Sequence, residues 1–118
     1  MSDETPLPSE QGKQTYQRIL GEAFDKPLVG IRELTLDHLF AQIWNREGLS
    51  DRERSLVTIA LLAFQGHRDQ LMAHVRGAKR RGMSRDDVLE LMIHVAHYGG
   101  WGAGASGQAA AMKVYDEP

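Results

Sequence analysis

Three polar residues, His67, Gln70 and His74, occur at spacings of three and four along the chain. If this segment is helical, those spacings place all three side chains on one helical face. Imidazole changes its charge near neutral pH and can therefore take part in proton transfer. The alternative is that His74 is a buried structural histidine that only forms a hydrogen bond with a neighbouring carbonyl group. The spacing is compatible with a polar pocket beside the helix, and both interpretations of His74 remain open at this point.

A predicted apolar helix leads into this polar segment. Ser50 and Glu53 have the spacing of a capping box, in which each side chain accepts a hydrogen bond from a backbone N–H group of the first turn. Residues 56–64 are almost wholly apolar, which predicts a helix that is buried on most sides. Gly66 interrupts the pattern just before His67. A buried helix that delivers polar groups beside a core is one way to build a pocket.

The remaining signals are also helical, and they predict an all-α fold. We expect a single domain over residues 1–118, with a flexible tail at residues 1–8. About six helices are predicted, over residues 9 to 20 or 24, 36–46, 50–64, 67–81, 84–99 and 102–115. Gly82 follows the fourth of these as a C-cap, and Ser84 precedes the fifth as an N-cap.

The composition is that of an ordinary globular protein, with 42% hydrophobic and 25% charged residues in a chain of 118. A net charge of −2 gives no case for a nucleic-acid partner, and the basic cluster over residues 79–81 is expected to be a solvated helix end. The longest apolar run is too short to span a membrane, and the first residues do not resemble a secretory signal. The absence of cysteine excludes disulfides and thiol chemistry. We expect no membrane partner, and the cytoplasm is the default compartment.

The last predicted helix is rich in small residues, with the sequence GAGASGQAAAM over residues 102–112. Each glycine costs a helix about 1 kcal/mol relative to alanine, so this helix needs stabilising contacts from outside. Small side chains permit close backbone approach, either to the core or to another subunit. Together with the apolar third helix, this pattern predicts a homo-oligomer with helices buried between subunits.

Two motifs in the middle of the chain carry a resemblance to a known family. They are LSDRERSLVTIALLA over residues 49–63 and HVRGAKRRGMSRDDVLELMIHVAHYGGW over residues 74–101. In this order they resemble the carboxymuconolactone decarboxylase family, and the resemblance extends weakly into residues 36–48. It implies an all-α subunit that assembles as a ring, either a hexamer or a trimer.

The family has two broad branches, and the resemblance separates this chain from one of them. The branch that resembles alkylhydroperoxidase D uses a Cys-x-x-Cys-x-x-x-His motif, whose positions hold His67, Gln70 and His74 here. Without the two sulfur atoms, this chain cannot form the disulfide that a thiol peroxidase needs. The other branch is the cofactor-free decarboxylase of aromatic catabolism, in which a Glu is usual at Gln70 and a Pro at Gly102. The resemblance therefore implies a cofactor-independent decarboxylase of a small lactone or β-keto-type acid.

Decarboxylation of such an acid leaves electron density delocalised onto a carbonyl oxygen. The site needs cations for the carboxylates, a hydrogen-bond donor to the carbonyl oxygen, an apolar wall and a proton source. The resemblance implies that His74 is the proton donor and that Arg54 and Arg76 are carboxylate ligands. It also implies that Tyr98 or His94 donates a hydrogen bond to the carbonyl oxygen and that Trp101 forms the apolar wall. His67 and Gln70 would be further substrate contacts.

Two other functions remain open. Gln70 cannot act as an acid or a base, which favours a non-catalytic ring-shaped member that binds a small acid or serves as a scaffold. A metal-dependent enzyme would use His67, His74, His94 or His97 as ligands. His94 and His97 lie three residues apart and could share a helical face, but two ligands do not make a metal site. We therefore expect neither a metal nor another cofactor.

Overall fold

The computed structural model describes residues 8–118, and every regular element in that range is a helix. The predicted all-α fold is thereby confirmed. Pro8, predicted as the last residue of a flexible tail, instead begins the first helix, where its fixed φ angle suits the first turn. The rest of that predicted tail, residues 1–7, lies outside the described residues. The chain divides into two compact units, Met1–Ser50 and Asp51–Pro118, and a single domain stays a prediction.

The first unit is built from α1 (Pro8–Leu20) and α2 (Ile31–Leu34), and α2 continues without a break into a π-helix over Thr35–Ile43. The sequence predicts an ordinary helix over residues 36–46, so the wider π-helical backbone is a difference from that prediction. Its last carbonyl groups lack helical partners, and the side-chain amide of Asn45 donates hydrogen bonds to the oxygen atoms of Phe40 (3.3 Å) and Ala41 (3.0 Å). Ile19, Leu20, Phe40 and Trp44 form a buried cluster in this unit, in which Leu36 and Ala41 are also buried.

The second unit contains four helices whose directions alternate. They are α3 (Asp51–Gln65), α4 (Arg68–Arg80), α5 (Arg85–Gly99) and α6 (Trp101–Tyr115). Arg81, just after α4, donates a hydrogen bond to Ser55 near the start of α3, so these two helices are antiparallel. Arg52 forms an ion pair with Asp87, which brings the starts of α3 and α5 together. Gly100 alone separates α5 from α6, so the chain reverses its direction there.

The small residues of α6 allow close packing within the chain. A Cβ atom at Gly104 would lie 2.8 Å from the carbonyl oxygen of Met92 and 2.9 Å from the Cα atom of Ala96. A Cβ atom at Gly107 would lie 2.9 Å from the Cβ atom of Ala63. The helix that these residues contact therefore belongs to the same chain, and any larger side chain would force α6 away from α5 and α3.

The exposed side of α3 is apolar. Val57, Leu61 and Phe64 are each more than half exposed, at 53%, 52% and 60%, whereas Ile59 and Ala63 are buried. The prediction that this helix is buried on most sides is therefore wrong for the single chain. Val57, Leu61 and Phe64 share one helical face, which we call the α3 stripe. Among residues 8–118, no helix combines the length and the apolar character needed to cross a membrane.

The start of α5 gives a direct test of a local sequence signal. The Ser84 hydroxyl accepts a hydrogen bond from the Asp87 backbone N–H group, and the Asp87 carboxylate accepts one from Ser84 in return. We expect Ser84→Ala to lower the free energy of unfolding by about 1 kcal/mol, because it leaves a helix N–H group without its cap. Urea unfolding followed by circular dichroism measures this loss. Ser106→Ala, an exposed change within α6, is the matched control, and equal stability of the two variants would contradict the prediction.

Candidate functional site

His74 lies in the middle of α4 with its Nδ1 atom buried. Burial and, to a lesser extent, the nearby positive charge of Arg81 lower its pKa from 6.5 to about 4. In the ligand-free chain the imidazole is therefore neutral at pH 7. From the sequence, His74 is predicted to be a proton donor, because imidazole usually titrates near neutral pH. With its lowered pKa, His74 must first take up a proton before it can donate one.

Two arginines and a serine lie where the start of α3 is next to the end of α4. Ser55 is fully buried, and its hydroxyl accepts a hydrogen bond of 2.8 Å from the Arg81 Nη2 atom. Arg54 precedes Ser55 in α3, and its Nε atom is buried. His74 and Arg81 are seven residues apart, which is about two helical turns, so they share a face of α4. We call His74, Arg81 and Ser55 the His74 cluster, and we include Arg54 because it is next to Ser55 in sequence.

Arg81 is the member of the His74 cluster that the sequence analysis missed. The basic residues 79–81 are expected from sequence to form a solvated helix end, and this is wrong for Arg81, which reaches a buried serine. The seven-residue spacing from His74 is the signal that could have identified it. Chemically, the cluster combines a neutral imidazole with guanidinium groups, the side chains best suited to binding carboxylates.

Arg76, a predicted carboxylate ligand, faces a different part of the molecule. Its Nε and Nη2 atoms donate hydrogen bonds of 3.0 and 2.9 Å to the two carboxylate oxygens of Glu117. Arg76 is two positions after His74, and two residues turn an α-helix by roughly 200°. The structure therefore directs Arg76 toward the segment after α6 and does not bring it together with His74.

His67 and Gln70 lie at the beginning of α4. His67 is the N-cap residue, with non-helical backbone angles, and both side chains are exposed. They occupy the face of α4 that carries His74, as their spacing predicts, but lie one to two turns closer to its start. In this chain they border solvent, in contrast to the largely buried His74.

Of the predicted aromatic residues, His94 and Tyr98 form a second group near the end of α5, whereas Trp101 lies beside His97. The rings of His94 and Tyr98 stack with centroids 4.8 Å apart, and Tyr98 is 85% exposed. Both border an open apolar cavity of about 290 Å³, which is lined by Ala60, Leu61, Phe64, His94, Val95, Tyr98 and Gly99. Trp101 is 71% exposed and meets the ring of His97 edge to face at 5.6 Å.

The two groups contact opposite ends of α3. Tyr98 shares its cavity with Phe64 in the last turn of α3, whereas Arg54 lies in the first turn. Ten residues of helix correspond to about 15 Å, so Tyr98 and Arg54 do not meet in one pocket of the single chain.

The histidines of α5 point to different partners. His94 stacks on Tyr98, while the Nδ1 atom of His97 donates a hydrogen bond of 2.7 Å to the backbone oxygen of Ile93. Over the part of the chain that the structure describes, no three His, Asp or Glu side chains are grouped as a metal site would require. The arrangement that combines a buried titratable group with cations is the His74 cluster.

Sequence comparison finds related proteins over most of the chain. The model of the carboxymuconolactone decarboxylase family matches residues 31–113. The chain is 29% identical over 116 residues to 4-carboxymuconolactone decarboxylase from Acinetobacter baylyi, covering 92% of this chain and 87% of that protein. It is 33% identical over 69 residues to nitrosuccinic acid decarboxylase from Metarhizium robertsii, covering 58% and 48%. An uncharacterized 15.0 kDa protein from Paracoccus denitrificans is 31% identical over 97 residues, covering 80% and 72%. The chain belongs to the carboxymuconolactone decarboxylase family.

Proposed function

We propose that this protein is a decarboxylase of a small carboxylic acid and that it acts without a cofactor at the His74 cluster. The observation that carries the proposal is the buried imidazole of His74 beside the Arg81 guanidinium, which is itself held by the buried Ser55 hydroxyl. Family membership supports the reaction class, because two relatives are named as decarboxylases.

The chemistry limits the class of substrate. Loss of CO2 breaks a C–C bond and leaves its electron pair on the remaining carbon. A carbonyl or nitro group conjugated with that carbon delocalises the electron pair, as the substrates named for the two relatives would allow. We infer that the substrate is a small acid with such an electron-accepting group beside the departing carboxylate, so that the protein needs to supply only charge, hydrogen bonds and a proton.

In this proposal Ser55 holds Arg81 in place, and the other three members of the His74 cluster act on the substrate. Arg54 and Arg81 bind the substrate carboxylates, and the bound negative charge near His74 favours its protonated form against the burial and the Arg81 charge that lower its pKa. The imidazole then takes a proton from solvent and gives it to the carbon that has lost CO2. The net reaction consumes one proton and releases one CO2 for each substrate molecule.

Assembly is a second part of the proposal. We infer a homo-oligomer, as a ring hexamer or trimer, in which the α3 stripe is buried between copies, because large exposed apolar patches mark interaction sites. Light scattering at micromolar concentration tests the assembly, and a monomeric mass would contradict it.

Five further residues keep their predicted roles in substrate binding: Tyr98, His94, Trp101, His67 and Gln70. The cytoplasmic location also stays a prediction.

A non-catalytic member that binds a small acid is the second candidate. Gln70 favours it, because an amide cannot transfer a proton where the decarboxylase branch usually has a carboxylate. Both candidates use the cations of the His74 cluster to bind an anion, and they differ in whether CO2 is released.

The deciding experiment is turnover of 4-carboxymuconolactone and of nitrosuccinic acid by purified protein treated with a chelator. We expect CO2 release and product formation from at least one of these acids without added metal. Saturable binding of either acid without CO2 release would favour the non-catalytic member. Activity that appears only when a divalent metal is restored would favour the metal-dependent alternative and contradict the cofactor-independent mechanism.

A further inference from the structure

A polar cavity lies on the other side of α4 from the His74 cluster. It has a volume of about 270 Å³ and is lined by Arg76, Lys79, Arg80, Val114, Glu117 and Pro118. Three cationic side chains of α4 therefore border the same space as the Glu117 carboxylate and the last residue, Pro118. This concentration of positive charge suits a small anion, and the proposed decarboxylation at the His74 cluster does not use it.

Glu117 contacts this cavity in the way that a bound anion would. Its carboxylate accepts three hydrogen bonds from Arg76, two from Nε at 3.0 and 3.2 Å and one from Nη2 at 2.9 Å. The Arg76 hydrogen bonds and the charges of Arg76, Lys79 and Arg80 lower the pKa of the Glu117 carboxyl group, so it is ionised at neutral pH. Both partners remain 38–39% exposed, so a dissolved anion can reach and replace the carboxylate.

The backbone beside Glu117 is held by other contacts. The Tyr115 hydroxyl donates a hydrogen bond of 2.7 Å to the backbone oxygen of Met83, and the Lys79 ammonium donates one of 3.2 Å to the backbone oxygen of Val114. Glu117 lies beyond the last residue of α6, Tyr115, so moving its side chain away from Arg76 would break none of these contacts. The cavity would then present its three cations to a ligand.

We propose that Arg76, Lys79 and Arg80 form a binding site for a small oxyanion and that the Glu117 carboxylate occupies this site when the ligand is absent. The ligand chemistry is that of a carboxylate or a phosphate, both of which match the planar fork of an arginine. Glu117 thereby sets the affinity, because each ligand must displace it. The site faces away from His74, so the proposal is independent of the proposed decarboxylation.

The test compares two variants that each remove one negative charge. Glu117→Gln removes the internal competitor, and Asp116→Asn removes the neighbouring carboxylate, which pairs with Arg85 at 3.6 Å. We expect inorganic phosphate, or succinate as the carboxylate probe, to bind about fivefold more tightly to Glu117→Gln than to the wild type, as expected for an exposed competing ion pair. Asp116→Asn should bind with wild-type affinity. Calorimetric titration with each probe measures both values and shows which oxyanion is preferred.

Two further measurements assign the binding to this cavity. In the wild type, saturation with the preferred probe should shift the Arg76 Nε–H resonance in NMR spectra. Adding Arg76→Gln to the Glu117→Gln variant should abolish the gain in affinity. Equal affinities of Glu117→Gln and Asp116→Asn would indicate a general charge effect and overturn the proposal. Absence of saturable binding in folded Glu117→Gln, or an unchanged Arg76 resonance at saturation in the wild type, would also overturn it.

Discussion

Replacing His74 by glutamine is expected to lower kcat/KM for decarboxylation by about 100-fold or more, the usual contribution of a general acid. Glutamine retains a polar group of similar size but cannot give a proton to the carbon that loses CO2. The substitution also removes the largely buried imidazole that, in this proposal, takes up a proton when the substrate binds.

The measurement is steady-state turnover of whichever acid the wild type decarboxylates. His97→Gln is the matched control, because His97 is an exposed histidine on α5 outside the His74 cluster. Circular dichroism and light scattering establish that both variants keep the wild-type fold and assembly. Unchanged turnover in His74→Gln would exclude His74 as the proton donor, even if the protein remained a decarboxylase.

Local signals in the sequence predict most of the fold. The capping pair of Ser84 and Asp87 identifies the start of α5, and Gly82, which has a φ of +99°, follows the end of α4 as expected of a C-cap glycine. These signals depend on a few neighbouring residues and are therefore readable without tertiary information. The π-helix over Thr35–Ile43 could not be predicted, because its hydrophobic pattern is also compatible with an α-helix.

The composition of the site is harder to predict than the helices, because it depends on which helix lies opposite each face. Spacing predicts that His67, Gln70 and His74 share a face of α4, but not that only His74 is largely buried. Motif order groups Arg76 with His74, whereas α6 ends beside Arg76 and supplies Glu117 as its partner. Arg81 joins His74 because α3 presents Ser55 to it.

The environment of His74 also predicts how stability depends on pH. The unfolded chain binds a proton at His74 below about pH 6.5, its ordinary pKa, whereas the folded chain does so only near pH 4. Between these values the unfolded state holds more protons, so stability falls as the pH falls. From about pH 7.5 to pH 5, this difference should lower the free energy of unfolding by about 2 kcal/mol.

Comparison of the wild type with His74→Gln at the two pH values isolates this contribution, because all other titrating groups are present in both proteins. Urea unfolding followed by circular dichroism should show a loss of stability that is smaller in the variant by about 2 kcal/mol. Equal losses in the two proteins would mean that His74 takes up its proton without cost in the folded state. The imidazole would then not be held neutral by burial and by Arg81, and the proposed role of substrate charge in protonating it would also fail. If the variant loses less stability than the wild type and turnover depends on His74, the burial of this residue both lowers the free energy of unfolding at acidic pH and belongs to the site that decarboxylates the substrate.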